Sequence, residues 1–119
     1  RSCLGVDFCG RPGHEQEITL FQTIMAAFIL AYIEVQNPED YQEYIKQVPA
    51  LVAKHGGVYR ARGGECTVRE GSWQPKRTVL LEFPDRASAE AFYDDPEYAP
   101  VMAIRHRTSN TNLIIFDGL

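Results

Sequence analysis

The pattern of apolar and polar positions changes character near Met25. Before it, residues 1–24 carry Gly5, Gly10, Pro12 and Gly13, then an acidic patch and a mixed apolar stretch without a dependable period. We expect this lead segment to be an extension or a disordered arm, with residues 25–119 as the folded domain. Residues 28–35 are apolar, short and rich in β-formers, which predicts a strand. Asn37-Pro38 then opens a helix. Asn37 is the N-cap, Pro38 takes the first helical position, and Glu39 and Asp40 sit at the positive end of the helix dipole. Tyr41, Tyr44, Ile45, Val48, Leu51 and Val52 recur at helical spacing. Pro49 removes the hydrogen bond to Ile45 and predicts a kink. Gly56-Gly57 predicts the helix end.

Residues 58–62 read as a second strand, broken or bulged at Gly63-Gly64. Residues 65–69 continue as β structure or as an excursion, and residues 71–75, around Trp73, form a turn. A third strand covers residues 77–83. Asp85 caps a helix through Ala87, Ala91 and Phe92; Asp95-Pro96 begins another helical turn, and Pro100 restarts it ahead of Arg105. Residues 112–117 form the last strand. The order β-α-β-β-α-β predicts an α+β, ferredoxin-like fold: an antiparallel sheet with helices on one face.

Alternation then divides each strand between two faces. Ile29, Ala31, Ile33 and Val35, with Val79, Leu81, Phe83, Leu113 and Ile115, form the aliphatic set that should meet the helices. The opposite set mixes Phe28, Leu30, Tyr32, Leu80, Ile114 and Phe116 with Glu34 and Glu82. A patch of that kind marks an interface. We therefore expect a homodimer packed through the open sheet face, with Arg60 and Arg62 on that face neutralising Glu34 and Glu82.

Composition narrows the partners. The 119 residues suit one domain, and 45% hydrophobic with 24% charged residues is ordinary for a globular chain. A net charge of −4 without a basic cluster disfavours nucleic acid and anionic membrane surfaces. Residues 18–33 are largely apolar but fall short of the roughly 20 residues a membrane span needs; the second half reads as strand. Cys3, Cys9 and Cys66 are odd in number and lack ligand spacing, which favours free thiols in the cytoplasm. No pattern calls for a metal or a cofactor.

Residues 28–35 and Asn37-Pro38-Glu39-Asp40-Tyr41 resemble the opening of the bacterial "domain of unknown function 1330" family. The resemblance continues through Gly56-Gly57, Arg62-Gly63-Gly64, Glu70-Gly71-Ser72-Trp73 and Leu81-Glu82-Phe83-Pro84. It ends with Ala91-Phe92-Tyr93-Asp94, Pro96-Glu97-Tyr98, Arg105 and Asp117-Gly118, and so covers residues 26–118. Asp95 and Phe92 depart from the family pattern, which has Ser and often Trp there. The resemblance implies a dimeric α+β barrel and no particular activity. Related barrels include cofactor-free monooxygenases, haem-degrading enzymes and small-molecule isomerases.

Tyr32, Trp73, Tyr98 and Arg105 are the candidates to line a site for a small organic molecule, an anion being one option. Arg105 is the anchor because a guanidinium can hold a carboxylate bidentately. Arg105, His106 and Arg107 would equally serve as favourable charge after the last helix. Glu34 and Glu82 would be paired acid/base carboxylates or plain ion-pair partners, and Arg62 and His106 complete the secondary set. His106 would need a deep apolar pocket to ligate haem. His55 is a general-base type of residue placed where it can serve a helix end. Cys66 lacks a His partner, and Gly63-Gly64 lacks the context of a phosphate loop. Three readings follow: a homodimer binding a small organic molecule, anionic or neutral, with or without cofactor-free chemistry; a non-enzymatic dimerisation or assembly module; and, by fold analogy, a monooxygenase-like or haem-degrading enzyme.

Overall fold

Alternation in the first strand decides the layering. In the computed structural model, which describes residues 25–119, strand β1 (Ala27–Val35) buries Ala27, Ile29, Ala31 and Ile33 on one side. Phe28, Leu30 and Tyr32 lie half-buried on the other. The chain continues as α1 (Pro38–Lys54), β2 (Val58–Arg62), β3 (Arg77–Phe83), α2 (Arg86–Tyr93), α3 (Tyr98–Thr108) and β4 (Ser109–Asp117). The four strands lie in the order β2-β3-β1-β4, every neighbouring pair antiparallel. This is the ferredoxin-like α+β arrangement. Leu81 and Phe83 of β3 join the buried face of β1, and residues of all three helices cover it. The expectations for residues 1–24, with Cys3, Cys9 and His14, lie outside the described residues.

Local chemistry explains the boundaries. Asn37 Oδ1 accepts from the Asp40 backbone N–H at 3.2 Å, which satisfies one orphan donor of α1. Pro49 sits inside this helix without ending it. The helix closes with two bonds, Gly56 N–H to the Ala53 carbonyl (3.0 Å) and Gly57 N–H to the Val52 carbonyl (2.9 Å). Gly56 takes φ +79°, and a Cβ at Gly57 would stand 2.6 Å from the Phe83 ring. Asp85 caps α2 by accepting from Ser88 N–H at 2.7 Å. Pro100 falls in the first turn of α3, where its missing N–H costs nothing.

Two boundaries differ from the sequence expectation. The last helix does not stop ahead of the cationic triplet but runs through it to Thr108, and β4 starts at once, at Ser109. The cause is two hydroxyls. Thr108 Oγ1 donates to the Ile104 carbonyl at 2.7 Å, and Ser109 Oγ donates to the Arg105 carbonyl at 2.6 Å, so the helix end needs no glycine. In the second case, the irregularity in β2 falls within the strand. Tyr59 pairs with Leu81 and Ala61 with Leu80, which leaves Arg60 as the extra residue of a β-bulge. Gly63, at φ +73°, ends the strand, and residues 64–76 form an excursion without regular structure.

The bulge corrects the placement of the arginines. Arg60 stays with the open face, where its Nε donates to Glu82 Oε1 at 2.7 Å. Arg62 pairs with Val79 and so turns, like Tyr59, toward the helices. Strict alternation would have kept Arg60 and Arg62 together. Among the described residues, no helix is long and apolar enough to cross a membrane.

Candidate functional site

Beneath α1 and α3, between the helices and the inner sheet face, lies a cavity of about 40 Å³. That is room for a few water molecules or a small anion. Its polar lining is four tyrosines, Tyr41, Tyr44, Tyr59 and Tyr98, and three arginines, Arg62, Arg77 and Arg105. Aliphatic residues of the inner sheet face, Ile29 and Ile33 among them, supply the rest. Tyr41 and Tyr44 are one turn apart on α1, and Tyr98 and Arg105 two turns apart on α3, so each pair shares a face of its helix. The bulge brings Tyr59 and Arg62, and the first residue of β3 brings Arg77.

The hydroxyls of Tyr44 and Tyr98 are hydrogen-bonded at 2.7 Å. Arg105 is 2% exposed, its guanidinium carbon lies 6.0 Å from the Tyr44 ring centre, and its Nε has no hydrogen-bond partner. Arg77 Nε is likewise buried and unpartnered. A Cβ at Gly63 would meet the Arg77 guanidinium, and the φ of +73° there favours glycine independently. Arg62 is exposed and lies over the Tyr59 ring, 4.7 Å from its centre, at the mouth. Among the described residues, no Asp or Glu lines the cavity.

Burial keeps three of the four phenols protonated. Burial pushes the Tyr44 hydroxyl far above the usual phenol range. Burial also raises Tyr41, against a downward pull from Arg77 and Arg105, and raises Tyr59 against Arg62. For Arg105, burial is the largest influence and works against the charge; the net upward shift comes from the Tyr98 and Tyr44 phenols, which carry charge only far above neutral pH, so at pH 7 the cost of burial stands. At neutral pH the cavity therefore presents cationic N–H groups and phenol O–H groups. Its chemistry is to bind an acceptor: a carboxylate, an enolate or another oxyanion.

The structure divides the sequence candidates between two faces. Tyr98, Arg105 and Arg62 meet in the cavity. Tyr32 and Trp73 stand on the open face, ring edge to ring at 4.6 Å. They border a shallow groove with Glu34, Lys76, Asn110 and Asn112. Glu34 and Glu82 are not paired. Glu82 sits opposite Phe28, and Glu34 lies about 20 Å further along β1. The cationic triplet is not one cluster either, because Arg105 turns inward while His106 and Arg107 are exposed in the last turn of α3. An exposed His106 lacks the deep apolar setting that haem ligation needs. Cys66 is an exposed free thiol.

Sequence reasoning missed Tyr41, Tyr44, Tyr59 and Arg77 as lining residues. The first two were visible as part of the helical stripe, where tyrosine reads as core. Nothing in the sequence marks the bulge that aims Tyr59 and Arg62. It also missed Asp95, whose Oδ2 accepts from Lys54 Nζ at 2.8 Å and from His55 Nε2 at 2.7 Å, while Oδ1 accepts from Glu97 N–H at 2.8 Å. The bonds from Lys54, His55 and Glu97 hold its carboxyl well below the usual range. This group ties the end of α1 to the turn before α3 and is not part of the cavity lining. Among the described residues, no group of three His, Cys, Asp or Glu side chains is placed to hold a metal ion.

The family model for "Domain of unknown function (DUF1330)" matches residues 26–119. The chain belongs to this family. Among solved structures, this family member is similar to a protein of unknown function from Rhodopseudomonas palustris. The TM-score is 0.67 at 16% identity, covering 88% of this chain and 93% of that one. It is also similar in fold to SnoaB, a cofactor-independent oxygenase from Streptomyces nogalater. There the TM-score is 0.54 at 12% identity, covering 81% of this chain and 94% of that one. No curated protein matches the chain.

Proposed function

We propose that this family member is a small cytoplasmic homodimer that binds a small organic anion in the cavity beneath α1 and α3. One observation carries the reading. Arg105 is buried with an unpartnered Nε, in a cavity that holds two further arginines and no carboxylate among the described residues. A buried charge without a counter-charge is costly, and in folded proteins such groups are paired. A bound carboxylate would supply the pair, with the protonated tyrosines donating to its remaining lone pairs. A module that only dimerises would have no use for a buried arginine beside a cavity.

The open face supports a second copy as partner. Phe28 and Phe116 stack there with ring centres 5.5 Å apart, and Ile114 is 53% exposed beside them. An apolar face of this kind gains from being covered by its own copy. The exposed Cys66 thiol supports a reducing compartment.

The test is a thermal-shift and calorimetric titration with monocarboxylates from formate to propionate, on wild type and Arg105→Lys. Wild type should be stabilised, by about 2.7 kcal/mol at a concentration 100 times Kd. Arg105→Lys should bind at least roughly tenfold more weakly, because it loses the forked geometry. Equal stabilisation of both proteins would count against this site.

A further inference from the structure

We infer that the cavity and its mouth together take a dianion, a short dicarboxylate or a molecule of the same charge pattern, with one anionic end inside on Arg105 and the other at the open rim on Arg77 and Arg62. This rests on the anion-binding reading above and adds a second subsite. The observation is that two buried guanidinium nitrogens lack a partner, not one: Arg105 Nε and Arg77 Nε. They come from opposite layers, α3 and the first residue of β3. A monocarboxylate on Arg105 would leave the Arg77 Nε–H without an acceptor.

Arg77 does not stand alone. Val79 pairs with Arg62, and Arg77, two residues before Val79 on β3, faces the same side of the sheet. Arg62 and Arg77 are thus diagonal cross-strand neighbours of like charge, and one anion between them would answer both. Gly63 leaves the space that the Arg77 guanidinium occupies. Tyr41 lies within electrostatic reach of both Arg77 and Arg105, since each pulls its pKa down. The cavity therefore has a closed end, Arg105 with the Tyr44–Tyr98 pair, and a rim, Arg77 with Arg62. Tyr41, which lines the same cavity, is a neutral donor for the linking atoms or for an additional oxygen on them.

Calorimetric titration of the full chain decides the question. The probes are malonate, succinate and glutarate against acetate, propionate and butyrate, on wild type, Arg77→Met and Arg62→Gln. On wild type at least one dicarboxylate should bind about tenfold or more tighter than any of the monocarboxylates. Arg77→Met should abolish that preference, so that on this variant the dicarboxylates bind no more than about threefold tighter than the monocarboxylates. Arg62→Gln alters an exposed side chain and keeps the test alive if Arg77→Met fails to fold; it should reduce the preference in the same direction. Equal binding of both series to wild type overturns the second subsite and leaves the anion site standing, as does a preference that survives both substitutions. Absence of binding by either series overturns both readings.

Discussion

Arg105 shows how much of this site sits in a single side chain. On α3 it replaces what a helix-on-sheet core would otherwise fill with Leu or Met, and it is as buried as the aromatic residues around it. Its charge is thus kept at a cost to the ligand-free fold. Arg105→Met retains the length of the stem and removes the unpartnered charge. We expect the ligand-free variant to be more stable than wild type by about 1–2 kcal/mol in urea unfolding, with carboxylate binding lost. A loss of more than about 2 kcal/mol would mean that Arg105 serves the core and not a ligand. The sequence pointed to Arg105 through the family pattern. It could not separate Arg105 from His106 and Arg107, because which of three adjacent residues turns inward depends on how the helix sits on the sheet.

Elements in this fold are joined by polar contacts as well as by burial. Lys54 and His55 at the end of α1 both donate to Asp95, ahead of α3, and these two helices form one side of the cavity. The Asp95 pKa is depressed in the folded chain. Its contribution is therefore complete above the unfolded carboxylate value, near 3.9, and is lost as the pH falls through the lower folded value. Asp95→Asn should lower Tm at pH 7, with the wild-type and variant melting temperatures converging below the usual carboxylate range. A gap that stays constant down to pH 2 would assign the loss to shape and not to charge. Lys54 is half-exposed, so added salt should narrow the gap only in part. Asp95 was legible as a helix-start residue, and its departure from the family pattern was visible. Its link to Lys54 and His55, forty residues away in sequence, was not.

At the scale of the whole molecule the two faces of the sheet have separate tasks. The inner face and the helices enclose the cavity; the outer face carries Phe28, Ile114 and Phe116 with little to cover them. Light scattering at micromolar concentration should give a particle of twice the 13.5 kDa chain mass. Phe116→Glu puts a charge in the centre of that face and should weaken association by about a hundredfold or more, with circular dichroism unchanged. A wild-type monomer at that concentration would remove the dimer from the proposal. Tyr32 and Trp73 belong to this outer face and its groove. A fluorescence change at Trp73, the single tryptophan, on dilution into the monomer range would report the same equilibrium.

The sequence by itself determined the order of elements, the caps of the first two helices and the two-faced sheet. Those features depend on local chemistry: Asn37 and Asp85 bond within three residues, Gly56 takes a positive φ, and alternation along β1 needs only the pleat. The sequence also brought out Tyr98 and Arg105 as candidates. What only the tertiary structure decided is which candidates meet. A single extra residue at Arg60 resets the register of β2 and carries Arg62 from the outer face to the inner one. Helix α3, extended by the Thr108 and Ser109 hydroxyls, sets Arg105 against Tyr44. Bulge register and helix docking are settled by contacts between distant segments, so no local pattern encodes them.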